Sequence, residues 1–313
     1  RIAGICDMSP EKLAHIKHAY PAIPTYRNYN RLLKSNKLDA VIISTPAATH
    51  YAITKEALMD NKHVLVEKPI SMKKEEAEEL IILSDKVKKV LIVGHTFLYN
   101  QAVKKIKEVI EQKKLGKIYY IHSRRTNLGP IRKDVNAIWD LSPHDISIIN
   151  YLLGKYPIEV SAYSQRFLSH VLDDVGFVIL RYPHNVLVHL HASWLDPKKI
   201  REMTIIGDKK MLVYEDTNTN EPIRLYDKSV MKKKYDREYR TFAEFQLIIK
   251  NGQVNSLNVP MQEPLKIECQ HFINCITSGS RPLTDGENGL AVLSVLDAID
   301  KSIAAGGRFV KVR

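Results

Sequence analysis

Residues 63–70 read His-Val-Leu-Val-Glu-Lys-Pro-Ile. His63–Val66 is a short apolar run of strand length, closed by the charged pair Glu67-Lys68 and by Pro69, which cannot continue a ladder. Helical spacing flanks it on both sides. Thr49–Asn61 precedes it. Ser71–Lys88 follows, with Glu75, Glu76, Glu78 and Glu79 near its start, where the helix dipole favours acids. Beyond these helices lie two more apolar runs, Leu38–Thr45 (LDAVIIST) and Val90–Gly94. Further upstream, Arg1–Asp7 (RIAGICD) reads as a buried strand, Ser9-Pro10 as a helix cap and first turn, and Thr25–Tyr29 as an edge or loop. Strand and helix alternate at short spacing, so this half is expected to form a doubly wound parallel sheet.

The pattern changes after about residue 117. Lys117–Arg125, Glu159–Phe167, Asp174–Tyr182, Asn185–Trp194 and Lys199–Gly207 alternate apolar and polar residues, with turn signals between them. They predict an open, mostly antiparallel sheet. His144–Leu153 and Gly289–Ala304 are expected to be helices, with Pro143 in the first turn of the former. The expected architecture is therefore a doubly wound α/β domain over 1–97 and an α+β domain over 98–313.

Composition sets the outer bounds. At roughly 150 residues per domain, 313 residues suggest two domains. A hydrophobic fraction of 44% with 26% charged residues argues against a disordered chain. The apolar run Val90–Val93 falls far short of the ~20 residues of a membrane span, so no membrane partner is expected. Cys6, Cys269 and Cys275 are too few and too scattered for a disulfide framework or a metal site, and a reduced, cytoplasmic setting follows as the default. The net charge of +12 raises nucleic acid as a partner, but the lysines are interleaved with glutamates along helices and no nucleic-acid-binding motif accompanies them. The reading is a lysine-rich surface, no nucleic acid, and a bias towards an anionic small molecule.

Doubly wound sheets bind dinucleotides through a glycine turn after the first strand and an acid some 20 positions later. No GxGxxG occurs here, and Asp7 at the end of the opening strand matches the acid. On that reading, about 30 residues holding the first strand, glycine turn and first helix lie outside the sequence, and weak or no NAD binding is expected of it.

Ser44-Thr45-Pro46, His50, the Glu67-Lys68-Pro69 triplet, and Asp140 with His144 four residues on occur in an order that resembles the glucose-fructose oxidoreductase/inositol dehydrogenase (Gfo/Idh/MocA) family. The resemblance implies a Rossmann domain, an NAD cofactor, and dehydrogenation of a sugar hydroxyl. It implies Lys68, Asp140 and His144 as the catalytic set. His144 is the base, since an imidazole titrates near the working pH. Lys68 stabilises the reacting oxygen, and Asp140, one helical turn before His144, orients the relay. It places Ser44, Thr45, Pro46, His50, Glu67 and Lys68 against the cofactor. Asp7, with no arginine after it, favours NAD over NADP.

The sequence departs from the family at residues 95–101. Leu98 and Gln101 stand where many members have arginine and proline, which leaves Tyr99 and Asn100 as candidate substrate contacts. The variant lead-in to the Asp–His pair is similar to a branch associated with nucleotide sugars. Arg124, Arg125 and Arg132 before it are candidates for binding an anionic or nucleotide-diphosphate sugar. An inositol or other cyclic polyol is the alternative substrate, and a non-catalytic sugar-binding regulator the alternative role. The open sheet face of this family packs on another subunit, so a homodimer or homotetramer is expected.

Overall fold

The computed structural model describes residues 1–34, 38–168, 171–230, 249–260 and 262–313. The chain divides into two compact units. One takes Arg1–Gly94 with His271–Gly289, the other His95–Gln270 with Leu290–Arg313.

In the first unit, β1 (Ile5–Cys6) pairs in parallel with β2 (Thr25–Tyr26). Between them runs α1 (Pro10–Ala19), where the Ser9 side chain accepts from the Lys12 N–H, as the Ser-Pro start predicts. After α2 (Tyr29–Leu33), a second parallel sheet holds β3 (Ala40–Ile43), β4 (His63–Glu67) and β5 (Leu91–Gly94) in that order. Helices α3 (His50–Met59) and α4 (Lys74–Lys86) make the crossovers. The parallel, helix-connected pattern matches the expectation, with one difference. The opening run forms only a two-residue, half-buried strand, because among the described residues it pairs along a single edge.

The centre of this unit is apolar. Val64, Leu65 and Val66 on β4 and Leu91, Ile92 and Val93 on β5 are all buried, and Phe272 packs on Leu65 and Ile92. The segment His271–Gly289 is also tied through its backbone: the Val93 N–H donates to the Thr284 carbonyl at 2.8 Å.

In the second unit, α5 (Gln101–Glu111) leads to β6 (Ile118–Leu128), followed by α6 (Ala137–Leu153). The strands β7 (Glu159–Gln165), β8 (Val175–Tyr182), β9 (Val186–Ser193), β10 (Leu195–Gly207), β11 (Met211–Glu215), β12 (Ile223–Val230) and β13 (Ile249–Ser256) come next. The chain continues through α7 (Pro264–Ser278) and α8 (Gly286–Ala304), of which His271–Gly289 belongs to the first unit, and ends the second unit with β14 (Val310–Lys311). Among the described residues, nine strands form one sheet in the order β13-β12-β11-β10-β6-β9-β8-β7-β14. β6 and β9 are parallel, and the other neighbouring pairs are antiparallel.

Helix α6 covers one face of this sheet. Ile138, Ile146 and Ile149 are fully buried there with Ile121, Val178, Leu180 and Val188, each aliphatic side chain contributing roughly 1.5–3 kcal/mol of burial. The helix begins at Ala137, seven residues before the expected start. Asn136 caps it by accepting from the Trp139 N–H, so Pro143 lies inside the helix and not in its first turn. It ends at Gly154, whose φ of 60° suits glycine at a left-handed cap. The opposite sheet face is open, with Tyr120, Tyr163, Phe177 and Leu187 exposed on it. Among the described residues, no helix is long and apolar enough to cross a membrane and no cluster of metal-ligating side chains occurs.

Candidate active site

In the first unit, the candidate residues stand at the carboxyl ends of parallel strands, where open α/β sheets bind ligands. Asp7 follows β1. Its Oδ1 accepts from the Ser9 N–H at 2.8 Å and its Oδ2 lies 3.6 Å from the Lys12 ammonium. Ser44, Thr45 and Pro46 follow β3 and are exposed, with Thr45 Oγ1 and Thr49 Oγ1 2.6 Å apart. Glu67 and Lys68 end β4. Glu67 Oε2 accepts from the Lys68 N–H at 3.3 Å, and Gly94 on β5 lies against it so closely that a Cβ there would stand 2.9 Å from that oxygen. Glycine at 94 is thus what lets the Glu67 carboxylate lie along the strand end.

His50 takes a different place from the one expected. Its ring is buried, with Nδ1 2.7 Å from the Pro69 carbonyl and Nε2 2.8 Å from the Thr45 carbonyl. It joins the turn after β3 to the turn after β4. The residue acts on the strand ends by holding their two turns together.

In the second unit, a cleft of about 500 Å³ is lined by Phe97, Arg125, Asp140, Leu141, His144, Lys199, Arg201, Asp216, Thr217 and Thr219. Asp140 and His144 come from successive turns of α6 and reach the same cleft, as their spacing predicts. Asp140 is fixed on both oxygens: Arg132 Nη1 donates to Oδ1 at 3.1 Å and Trp194 Nε1 to Oδ2 at 3.2 Å. The His144 ring meets Phe97 edge to face at 4.9 Å. The Arg125 guanidinium in turn lies 4.7 Å from the Phe97 ring centre. Arg125 and Asp145 form a buried fork, with side chains 6% and 5% exposed. Burial pulls the Arg125 pKa down, but the Asp145 carboxylate outweighs it and the net shift is upward.

The three arginines singled out in the sequence separate here. Arg125 lines the cleft but is already paired. Arg132 donates to Asp134 and Asp140, so it positions Asp140 rather than standing open to a ligand; the Asp134 hydrogen bond is the main cause that raises its pKa. Arg124 stands apart from the cleft. Side chains alternate along β6, and with Arg125 on the α6 side, Arg124 is exposed on the other face, near His191. Tyr99 is buried and does not line the cleft, while Asn100 caps α5 and lines a neighbouring cavity of about 530 Å³ with Tyr214, Asp216 and Gln262.

Seven cleft residues were not anticipated: Phe97, Leu141, Lys199, Arg201, Asp216, Thr217 and Thr219. Arg201 is half-buried and its Nη1 donates to the carbonyls of Thr126 and Ile200 at 2.8 Å each, its Nη2 to Asn127 Oδ1 at 2.6 Å. Asp216 accepts from the Tyr214 hydroxyl at 2.8 Å. Burial first, and then Asp216, pushes the Tyr214 pKa well up, so its proton stays on that bond. The two-residue spacing of Lys199 and Arg201 was the available signal, since it puts both on one side of a strand.

Comparison with known proteins fits both halves of this picture. Residues 1–95 match the GFO/IDH/MocA oxidoreductase family, NAD-binding Rossmann fold, and residues 103–213 match the GFO/IDH/MocA C-terminal domain. The chain is 25% identical over 302 residues to the UDP-N-acetylglucosamine 3-dehydrogenase of Acidithiobacillus ferrooxidans, covering 94% of this chain and 87% of that one. It is 22% identical over 310 residues to the myo-inositol 2-dehydrogenase of Thermotoga maritima, covering 96% and 88%. Among solved structures, that A. ferrooxidans dehydrogenase superposes with a TM-score of 0.80 at 22% identity, over 98% of this chain and 91% of that one. An aldose-aldose oxidoreductase from Caulobacter crescentus, complexed with glycerol, superposes with 0.82 at 19%, over 99% and 91%. The chain belongs to the Gfo/Idh/MocA family of oxidoreductases, with an NAD-binding Rossmann domain followed by that family's C-terminal domain.

Proposed function

We propose that this oxidoreductase interconverts a hydroxyl and a carbonyl on a sugar or polyol, with NAD as the redox partner and His144 as the proton acceptor. The observation that carries this reading is the cleft of the second unit, where His144 and an anchored Asp140 share a wall with cationic and hydroxyl-bearing side chains. A sugar offers several hydroxyls to such a set of donors and acceptors.

The roles follow from chemistry. His144 accepts the proton from the reacting hydroxyl, a contribution typically worth about 10²–10⁴-fold. Asp140, held by Arg132 and Trp194, orients substrate or imidazole. Lys68, at the end of β4, supplies a cationic donor to the reacting oxygen. The strand-end residues of the first unit fit a dinucleotide. Asp7 would accept the ribose hydroxyls, the exposed Thr45-Pro46 turn would lie along the pyrophosphate, and Glu67 would face the nicotinamide ribose. When bound, the nicotinamide accepts the hydride that the alcohol carbon gives up. A carboxylate at Asp7 disfavours a 2′-phosphate, which supports NAD over NADP.

The likeness to the A. ferrooxidans enzyme and the surplus of cations in the cleft favour a nucleotide sugar over an inositol. The experiment is to incubate the protein with NAD and a panel of neutral sugars, inositols and UDP-sugars, following NADH absorbance. Turnover with a member of the panel supports the reading. Binding without turnover across all of it, with NAD and with NADP, points to a regulator instead.

A further inference from the structure

The cations of the cleft differ in what already neutralises them. Arg125 is forked onto Asp145, and Arg132, behind the wall, is held by Asp134 and Asp140. Arg201 has no carboxylate partner among the described residues. Its contacts are two backbone carbonyls and one side-chain amide oxygen, and these occupy both Nη1 hydrogens and one on Nη2. Its Nε–H and one Nη2–H are left over, in a half-buried group that lines the cleft. Lys199 lies two residues away, exposed, on the same cleft, with no ion pair among the described residues. The three anchoring contacts fix the guanidinium in place before any ligand arrives, which lowers the ordering cost of binding. Three cations and two carboxylates line the cleft, and the two unpaired cations are the ones outside the His144–Asp140 pair.

Resting on the sugar reading above, we propose that Arg201 and Lys199 bind an anionic group of the substrate, a carboxylate or a phosphate, and so make this enzyme selective for a charged sugar. A guanidinium edge with two free N–H groups matches two oxygens of such an anion, and Lys199 adds a mobile point charge. Thr217 and Thr219 bring hydroxyl donors to the same cleft. The anion is carried either by the sugar itself, as in a uronate, or by a diphosphate linked to it.

The test is a binding titration of the whole chain, read by tryptophan fluorescence. The sequence has two tryptophans, and one of them, Trp194, hydrogen-bonds Asp140 in the cleft wall. The probes are UDP, D-glucuronate and D-glucose, at low and high salt. The expected result is saturable binding of at least one anion, tighter than D-glucose by about tenfold or more and weakened by salt. Lys199→Gln and Arg201→Gln each weaken that anion by about tenfold or more while leaving D-glucose unmoved. Saturation by UDP alone assigns the site to a diphosphate, and by D-glucuronate alone to a carboxylate. Because Lys199 is exposed and its side chain has no hydrogen bond or ion pair among the described residues, its variant decides the matter even where Arg201→Gln fails to fold. The proposal is overturned when neither anion binds more tightly than D-glucose, or when Lys199→Gln binds them as the parent does. Turnover of a neutral polyol with unchanged Lys199→Gln kinetics would sink this inference and leave the dehydrogenase reading standing. Anion binding lost in both variants, with no turnover of any sugar, would do the reverse.

Discussion

Replacing Asp145 by Asn tests the fork beneath the cleft. The Asp145 carboxylate accepts from Arg125 Nε at 3.1 and 3.3 Å and from Nη2 at 2.9 Å, with both side chains nearly excluded from solvent. Asparagine keeps the volume but removes the charge, and leaves a buried guanidinium uncompensated. Breaking one partner of a buried pair costs about 3–5 kcal/mol. At a urea slope of about 3 kcal/mol/M, the midpoint falls by roughly 1–1.7 M. The loss reaches the site as well, because Arg125 also rests on Phe97, which supports the His144 ring. The assay is urea unfolding of parent, Asp145→Asn, Arg125→Met and the Arg125→Met/Asp145→Leu double variant. The double variant recovers most of the stability, since apolar replacement of both partners is often nearly neutral. A loss below about 0.5 kcal/mol in the single variants, the size of an exposed pair, would refute the reasoning.

Three further outcomes are expected. Arg132→Leu removes one of the two anchors of Asp140; kcat falls by about tenfold while the unfolding free energy from urea titration, for a half-exposed pair, changes by less than about 1 kcal/mol, and an unchanged kcat would remove Arg132 from the positioning role. His189 and His191, against Phe177 on the open sheet face at 6.4 and 4.5 Å, have pKa values lowered by burial first and then by His122 and His189 respectively. The unfolded chain therefore takes up protons first, stability present above about pH 6.5 is lost on acidification, and His191→Gln flattens the decline in urea midpoint between pH 7 and 5; a parent midpoint constant over that range would contradict this. Phe177→Asp, placed among the exposed Tyr163, Tyr120 and Leu187, shifts a homodimer or homotetramer towards monomer in light scattering, whereas an unchanged mass would clear this face of a self-association role.

What the sequence disclosed depended on the range of the interaction. Ser9-Pro10 and the run Val64–Val66 could be read locally, because a cap and a buried parallel strand are set by neighbours within a few residues. The Asp140–His144 pair was picked out by its resemblance to the family motif, and its four-residue spacing then placed both on one helix face. The start of α6 was not, since Pro143 mimics a first-turn residue while the actual cap is Asn136. Arg201 could not be assigned to the cleft from sequence. Its place depends on β10 pairing with β6, where it lies opposite Arg125, 76 positions earlier. Strands β12 and β13 carry too many polar and charged residues for apolar alternation to reveal them. The return of His271–Gly289 to the first unit rests on backbone contacts at Val93 and Ile92 that no local pattern encodes.

His144 is proposed to move the proton in a sugar or polyol dehydrogenation. The most direct measurement is the NAD-linked rate of His144→Asn on whichever member of the sugar panel the parent oxidises, with substrate binding followed in parallel by tryptophan fluorescence. The expected result is a fall in kcat of about 10²–10⁴-fold, with binding and urea midpoint close to the parent's. A kcat within a few-fold of the parent would contradict it.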